Sequence, residues 1–148
     1  MKIALVLDDS IDRPDGVQQY VLPLAGFLTR AGHEVHVLCS TASAREDVTV
    51  HSLARNVGVT FNGNGLRIPL PASRYRIRAL LAREKYDVIH VQTPHSPLFA
   101  ARVVEEARAM LADRVRIVIV TSGTGASTAF GLAEEVIGDM LGGASRAA

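Results

Sequence analysis

The sequence predicts an α/β fold, a three-layer α/β/α sandwich around a mainly parallel sheet. Three observations carry this. Ile3, Ala4, Leu5, Val6 and Leu7 form an unbroken apolar run, the pattern of a strand covered on both faces. The run stops at Asp8-Asp9-Ser10 and, past Pro14-Asp15-Gly16, gives way to apolar residues at Val17, Tyr20, Val21, Leu24, Phe27, Leu28 and Ala31, the spacing of a helix with one buried face. Strand-like and helix-like stretches then alternate along the chain, and such alternation assembles as parallel strands flanked by helices.

Each element has its own signal. The strand Lys2 to Leu7 is expected near the centre of the sheet, between the second strand and the strand around Val88. Gly32 closes the helix Val17 to Ala31 as a left-handed cap. His33 to Leu38 reads as the second strand, Ser40 to Glu46 as a polar connection, and Val48, Val50 and Leu53 as a short third strand. Arg55 to Pro71 is loop-rich, with two adjacent Asn-Gly pairs at Asn62-Gly63 and Asn64-Gly65. These are strong turn signals and read as a protruding loop, with a short extended segment over Leu66 to Leu70. Ser73 is placed to cap a short helix through Leu80, Leu81 and Ala82. Tyr86 to Gln92 is a buried strand that ends at Thr93-Pro94-His95-Ser96-Pro97, since proline cannot continue a central ladder. Leu98 to Leu111 is a helix with a buried stripe at Phe99, Val103, Val104, Ala107, Met110 and Leu111, and Val115 to Val120 is a β-branched strand. A small, glycine-rich stretch, Thr121 to Ser127, precedes a last helix with Ala133, Val136, Ile137, Met140 and Leu141 on one side.

With 148 residues, 48% of them hydrophobic and 21% charged, the chain is expected to form one ordinary globular domain. A net charge of +1 gives no reason to expect nucleic acid, and 5% aromatic residues without Trp supply no stacking platform for single strands. A lone cysteine, Cys39, excludes an internal disulfide framework and fits a reducing compartment. The N-terminal apolar run is too short for a signal peptide and no stretch is long enough to span a membrane, so the expectation is a cytoplasmic protein. Arg74, Arg76, Arg78, Arg83 and Lys85 surround a lone Glu84. They read as a solvated face or, less simply, as a peripheral contact with anionic lipid headgroups at the inner face of a membrane.

A buried strand that turns at a glycine into a helix N-terminus is the usual ligand edge of an open α/β sheet. Gly16 there either lets a phosphate approach the backbone in the field of the helix or is a structural turn glycine. Arg67 either meets a phosphate in a bidentate way or is an exposed arginine. His95 sits between prolines at a strand's C-terminal end, where ligand loops gather. His90, inside an apolar strand, reads as a hydrogen-bonded core histidine. Ser122, Gly123, Thr124 and Gly125 follow a buried strand and offer amides and hydroxyls to an anion. They lack a Walker lysine and the third glycine of a dinucleotide fingerprint, so a plain connection is the simpler reading. His33 and His36 face opposite ways on one predicted strand, and no cluster has metal spacing. Asp8, Asp9 and Asp12 lack an EF-hand pattern, and Ser122 lacks a nucleophile elbow. Neither a metal nor a cofactor is expected.

Asp15-Gly16-Val17-Gln18-Gln19-Tyr20, Gly32-His33-Glu34-Val35, Phe61-Asn62-Gly63 and Tyr86-Asp87-Val88-Ile89-His90-Val91-Gln92-Thr93-Pro94 occur in that order. Together they resemble the N-terminal, Rossmann-like domain of GT-B retaining glycosyltransferases, within the GT4-type group that includes phosphatidylinositol mannosyltransferases. The resemblance covers roughly Met1 to Val120. It implies an acceptor-side domain that faces a donor-binding domain across a cleft, in an enzyme moving a sugar from a nucleotide donor to a hydroxyl acceptor such as a phosphoinositol or another polyol. It further implies that Gln18 bonds acceptor hydroxyls, the alternative being a solvent-facing helix residue, and that Asn62 and Gly63 form an acceptor-side loop. Residues 1–148 are then one domain, half of an active site, with the donor domain absent and no catalytic residue of its own. The expected result is no turnover by the chain alone. The family's Thr-aromatic-His sequence reads Thr121-Ser122-Gly123 here, a departure that puts transfer chemistry in doubt. It leaves open a stand-alone or engineered Rossmann-like binding or structural domain. A half-enzyme would also expose an apolar interface, through which the Phe130–Leu141 helix could pair with a second copy.

Overall fold

The computed structural model describes residues 1–8, 10–12, 16–43, 45–61, 64–69, 71–92 and 99–120, with backbone alone over 56–61 and 64–69. Its elements, in chain order, are β1 (Lys2–Val6), α1 (Gly16–Arg30), β2 (Glu34–Cys39), β3 (Thr49–Ser52), β4 (Asn56–Phe61), β5 (Asn64–Pro69), α2 (Arg74–Glu84), β6 (Val88–Gln92), α3 (Ala100–Leu111) and β7 (Arg116–Val120). A five-stranded sheet runs in the order β3-β2-β1-β6-β7, and every neighbouring pair in it is parallel. The first strand is central, as its apolar run requires: Leu5 pairs with Val37 of β2 on one side and with His90 of β6 on the other.

That run serves two cores. Ile3, Leu5 and Leu7 pack with Tyr20, Val21, Leu24 and Leu28 of α1, together with Val35, Val37 and Cys39. Ala4 and Val6 point the other way, against Ile77, Leu80 and Leu81 of α2 and Phe99, Val103 and Ala107 of α3. A strand's side chains alternate between faces, so burial of both faces forbids polar alternation. The outcome is helix, sheet, helix in three layers, a Rossmann-like α/β fold.

Helix ends follow the sequence closely. Gly32 has φ +92°. Its N–H donates to the Thr29 carbonyl and that of His33 to the Leu28 carbonyl, at 3.0 and 3.1 Å, the pairing of a Schellman cap. Ser73 caps α2, accepting from the Arg76 N–H, and Lys85 ends it in the left-handed region at φ 50°. The buried face of α1 departs from the expected stripe: Gln18 and Ala25 are inside, while Phe27 and Ala31 are exposed. On α3, Met110 is exposed and Glu106 is buried.

Two further expectations change. Residues 55–71 are not simply a loop, since β4 and β5 form an antiparallel ribbon in which Phe61 pairs with Asn64. The second Asn-Gly pair, Asn64-Gly65, therefore lies in a strand, because pairing over the whole register outweighs a local turn preference. Glu84 is also not the only acid near the arginines. Arg74 bonds Glu105 and Glu106 at 2.8 and 2.6 Å, and Arg78 also bonds Glu106. Those acids arrive from α3, remote in sequence. No helix among the described residues is long and apolar enough to cross a membrane. The expected last helix, Phe130–Leu141, lies outside the described residues.

Candidate functional site

The C-terminal edge of the sheet gathers polar side chains that the strands themselves do not need. β1 ends at Val6, and Asp8 reaches from beyond that end to α3, where its Oδ1 accepts the Ala100 N–H at 2.8 Å. Phe99, at the helix start, offers no side-chain cap, so Asp8 supplies one from the central strand and its charge suits the positive helix end. Asp12 ties the segment after β1 to the one after β2, its Oδ2 accepting from the Ser43 N–H and Oγ at 2.7 and 3.0 Å.

Gln18 stands in the first turn of α1. It is buried, at 3% exposure, which removes the solvent-facing alternative. Its Nε2 donates to the Ser10 carbonyl at 2.6 Å. That bond fixes the amide, and Oε1 is left buried with no hydrogen-bond partner among the described residues. Gln92, the last residue of β6, is also buried with Oε1 unpartnered, as is Ser40 Oγ at the end of β2. A buried polar oxygen without a partner costs about 1–3 kcal/mol, so a group of them at one edge is a cost that the described residues do not offset.

His90, two residues before Gln92 on the same face of β6, is in the core but is not hydrogen-bonded as expected. It is fully buried, and neither ring nitrogen meets a partner at hydrogen-bond geometry. The Tyr20 ring lies over it, with centroids 6.0 Å apart. Burial pushes its pKa down to about 4, and the nearby Gln92 side chain opposes that only in part.

Gly16 opens α1, is exposed, and has no atom of the described residues within 4 Å of where a Cβ would stand. Open space beside a helix N-terminus lets a charged group come up to the backbone amides. A hollow lined by Ile11, Asp12, Gln18, Gln19, Leu22 and Arg45 adjoins this turn. A hollow of about 740 Å³ lies elsewhere, over Thr29, Val35 and Val48. It lacks the unpartnered oxygens that distinguish the edge near Gln18.

Of the residues singled out in the sequence, the structure places Gly16 and Gln18 in the first turn of α1, at the C-terminal edge of the sheet. Arg67 falls on β5, opposite Gly58, and its side chain is not among those described. Asn62, Gly63, His95, Ser122, Gly123, Thr124 and Gly125 lie outside the described residues. Gln92 and Ser40 were not anticipated. Their signal was a polar residue closing an otherwise apolar strand, which is visible in the sequence only once the strand ends are known.

Comparison with known proteins identifies the family. Residues 14–119 match the family model described as Glycosyltransferase Family 4. Phosphatidyl-myo-inositol mannosyltransferase of Mycolicibacterium smegmatis is 33% identical over 109 residues, covering 72% of this chain and 28% of that protein. The Mycobacterium leprae protein of the same name is 35% identical over 113 residues, covering 71% and 29%. That of Propionibacterium freudenreichii is 32% identical over 106 residues, covering 66% and 28%. The chain therefore spans less than a third of the length of these curated relatives. From the family match, which runs from the start of α1 through β7, this chain belongs to glycosyltransferase family 4.

Proposed function

We propose that this chain is the acceptor-side domain of a retaining GT-B glycosyltransferase. It holds a hydroxyl acceptor, a phosphoinositol or a similar polyol, while a donor-binding domain across a cleft holds the sugar nucleotide. The acceptor oxygen replaces the nucleotide diphosphate at the anomeric carbon, and the hydroxyl proton leaves. Residues of this chain orient the acceptor and do not supply the diphosphate-binding charges. Turnover by residues 1–148 alone is therefore not expected.

The observation that carries this reading is Gln18. Its amide is clamped by the Ser10 carbonyl, with Oε1 buried and unpartnered among the described residues near the C-terminal edge of the sheet. A group already locked in its rotamer loses little entropy on binding, which suits a positioning contact. The names of the relatives supply the choice of acceptor chemistry. Gly16, with open space before the α1 amides, is the companion site for a phosphate.

Titration of the chain with myo-inositol 1-phosphate, followed by amide NMR shifts, tests this. Shifts at Gly16 and Gln18 that vanish in Gln18→Leu are expected. Shifts absent from α1, or unchanged in Gln18→Leu, refute the acceptor reading. Robust sugar transfer by residues 1–148 alone refutes the half-site reading.

A further inference from the structure

The opposite end of the sheet carries a polar cluster that acceptor binding does not use. His36 lies on β2, His51 on the edge strand β3, and Glu84 ends α2. One ligand atom from each lies within 4.8 Å of the other two. His51 Nε2 is 3.1 Å from His36 Nδ1, and Glu84 Oε2 is 3.8 Å from that same nitrogen. The Tyr86 hydroxyl is 2.9 Å from it.

The proton of His36 can be located. Its other nitrogen, Nε2, is 3.2 Å from Glu34 Oε1. An ionised carboxylate only accepts, so Nε2 carries the hydrogen and Nδ1 turns its lone pair into the cluster. That single lone pair meets three polar atoms, and one hydrogen bond, from the Tyr86 hydroxyl, already satisfies it. His51 Nε2 stands 3.1 Å from the same lone pair and competes with the Tyr86 hydroxyl for it, so an ion bound there would displace both hydrogen bonds.

We propose that His36, His51 and Glu84 form a binding site for one divalent transition-metal ion of the zinc type. The ion would staple the end of α2 to strands β2 and β3. Four-coordinate ligands at about 2.0–2.1 Å from zinc stand roughly 3.3–3.4 Å from one another. The separations from His36 Nδ1, 3.1 and 3.8 Å, lie on either side of that value, and all three ligand atoms stand within 4.8 Å of one another, so side-chain adjustment on binding would close the set. Two imidazoles and a carboxylate favour zinc or cobalt over magnesium or calcium. Glu34, holding the far nitrogen of His36, is the carboxylate that orients a metal-bound imidazole. Lys2 already bonds Glu84 Oε2 at 2.6 Å and Glu34 at 3.0 Å. It shares that oxygen's second lone pair with the ion or swings fully to Glu34. A hollow lined by His51, Tyr75, Arg76 and Arg83 reaches the His51 side of the site.

Cobalt(II) titration of the metal-free chain tests the site, since four-coordinate cobalt absorbs far more strongly in the visible than six-coordinate cobalt. One equivalent with the intense spectrum, displaced by zinc, is expected, along with a rise in the unfolding midpoint when zinc is added. His51→Ala, on an edge strand and half-buried, should abolish the intense band while leaving the circular dichroism intact. Glu34→Gln touches no ligand position and should weaken binding by roughly 10- to 100-fold, whereas His33→Ala should change nothing. Weak, multi-site, six-coordinate binding by the wild type overturns the proposal, and so does an intense band that survives His51→Ala.

Discussion

Acid should destabilise this protein through His90 in particular. The ring is fully buried, without a hydrogen bond, and its pKa is pushed down to about 4. In the unfolded chain the same imidazole titrates near about 6.5. Below that value the unfolded state takes up a proton that the folded state refuses, so stability falls as pH falls. The contribution is fully present above the unfolded pKa, erodes between the two values, and is lost once pH passes the folded one. With a folded value of about 4, the linkage gives a loss of about 2 kcal/mol between pH ~7.5 and pH ~5, approaching about 3 kcal/mol in stronger acid. Urea unfolding at both pH values measures it, with His90→Leu as the reference. Leucine fills a similar volume and brings no nitrogen to satisfy. Its stability at the higher pH should equal or exceed the wild type's, since two unpartnered nitrogens are gone. Other groups, including His36 and His51, titrate in both proteins and cancel in the comparison. The acid loss should therefore be smaller in His90→Leu by about 2 kcal/mol. If the two proteins lose the same stability, His90 is not held neutral in the core and its assignment is wrong.

Two substitutions probe the ligand edge itself. Asp8→Ala removes the cap on α3 supplied from β1 and should cost about 1 kcal/mol, read as a lower urea midpoint with an unchanged slope; no loss would mean that the bond is not made in solution. Gly16→Ala meets no atom within 4 Å, so stability should stay within about 0.5 kcal/mol. Binding of the inositol phosphate should nonetheless weaken if the phosphate sits against the α1 amides. Unchanged binding would place the phosphate elsewhere.

The architecture was legible because burial leaves a pattern in the chain. The unbroken run Ile3 to Leu7 implied a strand with two covered faces, and the structure puts it at the centre of a parallel sheet. Gly32 and Ser73 announced helix ends because caps are local chemistry, completed within a few residues. The ribbon β4-β5 was half legible. Asn62-Gly63 falls between its strands, but strand pairing depends on residues facing across the ladder, which turn propensity does not see.

What the chain's order of residues determined by itself was the alternation of elements, the place of the first strand, and the glycine that opens α1. Tertiary structure alone decided which polar groups are buried and which meet. Gln18 resembled any surface glutamine until α1 was rotated to set it inward against the Ser10 carbonyl. His36, His51 and Glu84 are separated by 15 and 33 positions in the sequence, with no ligand spacing to reveal them, and only the parallel register of β2 and β3 with the end of α2 brings them together. The physical reason is range. Helix periodicity and capping are settled within one or two turns of chain, whereas desolvation and charge pairing depend on what the rest of the fold places alongside.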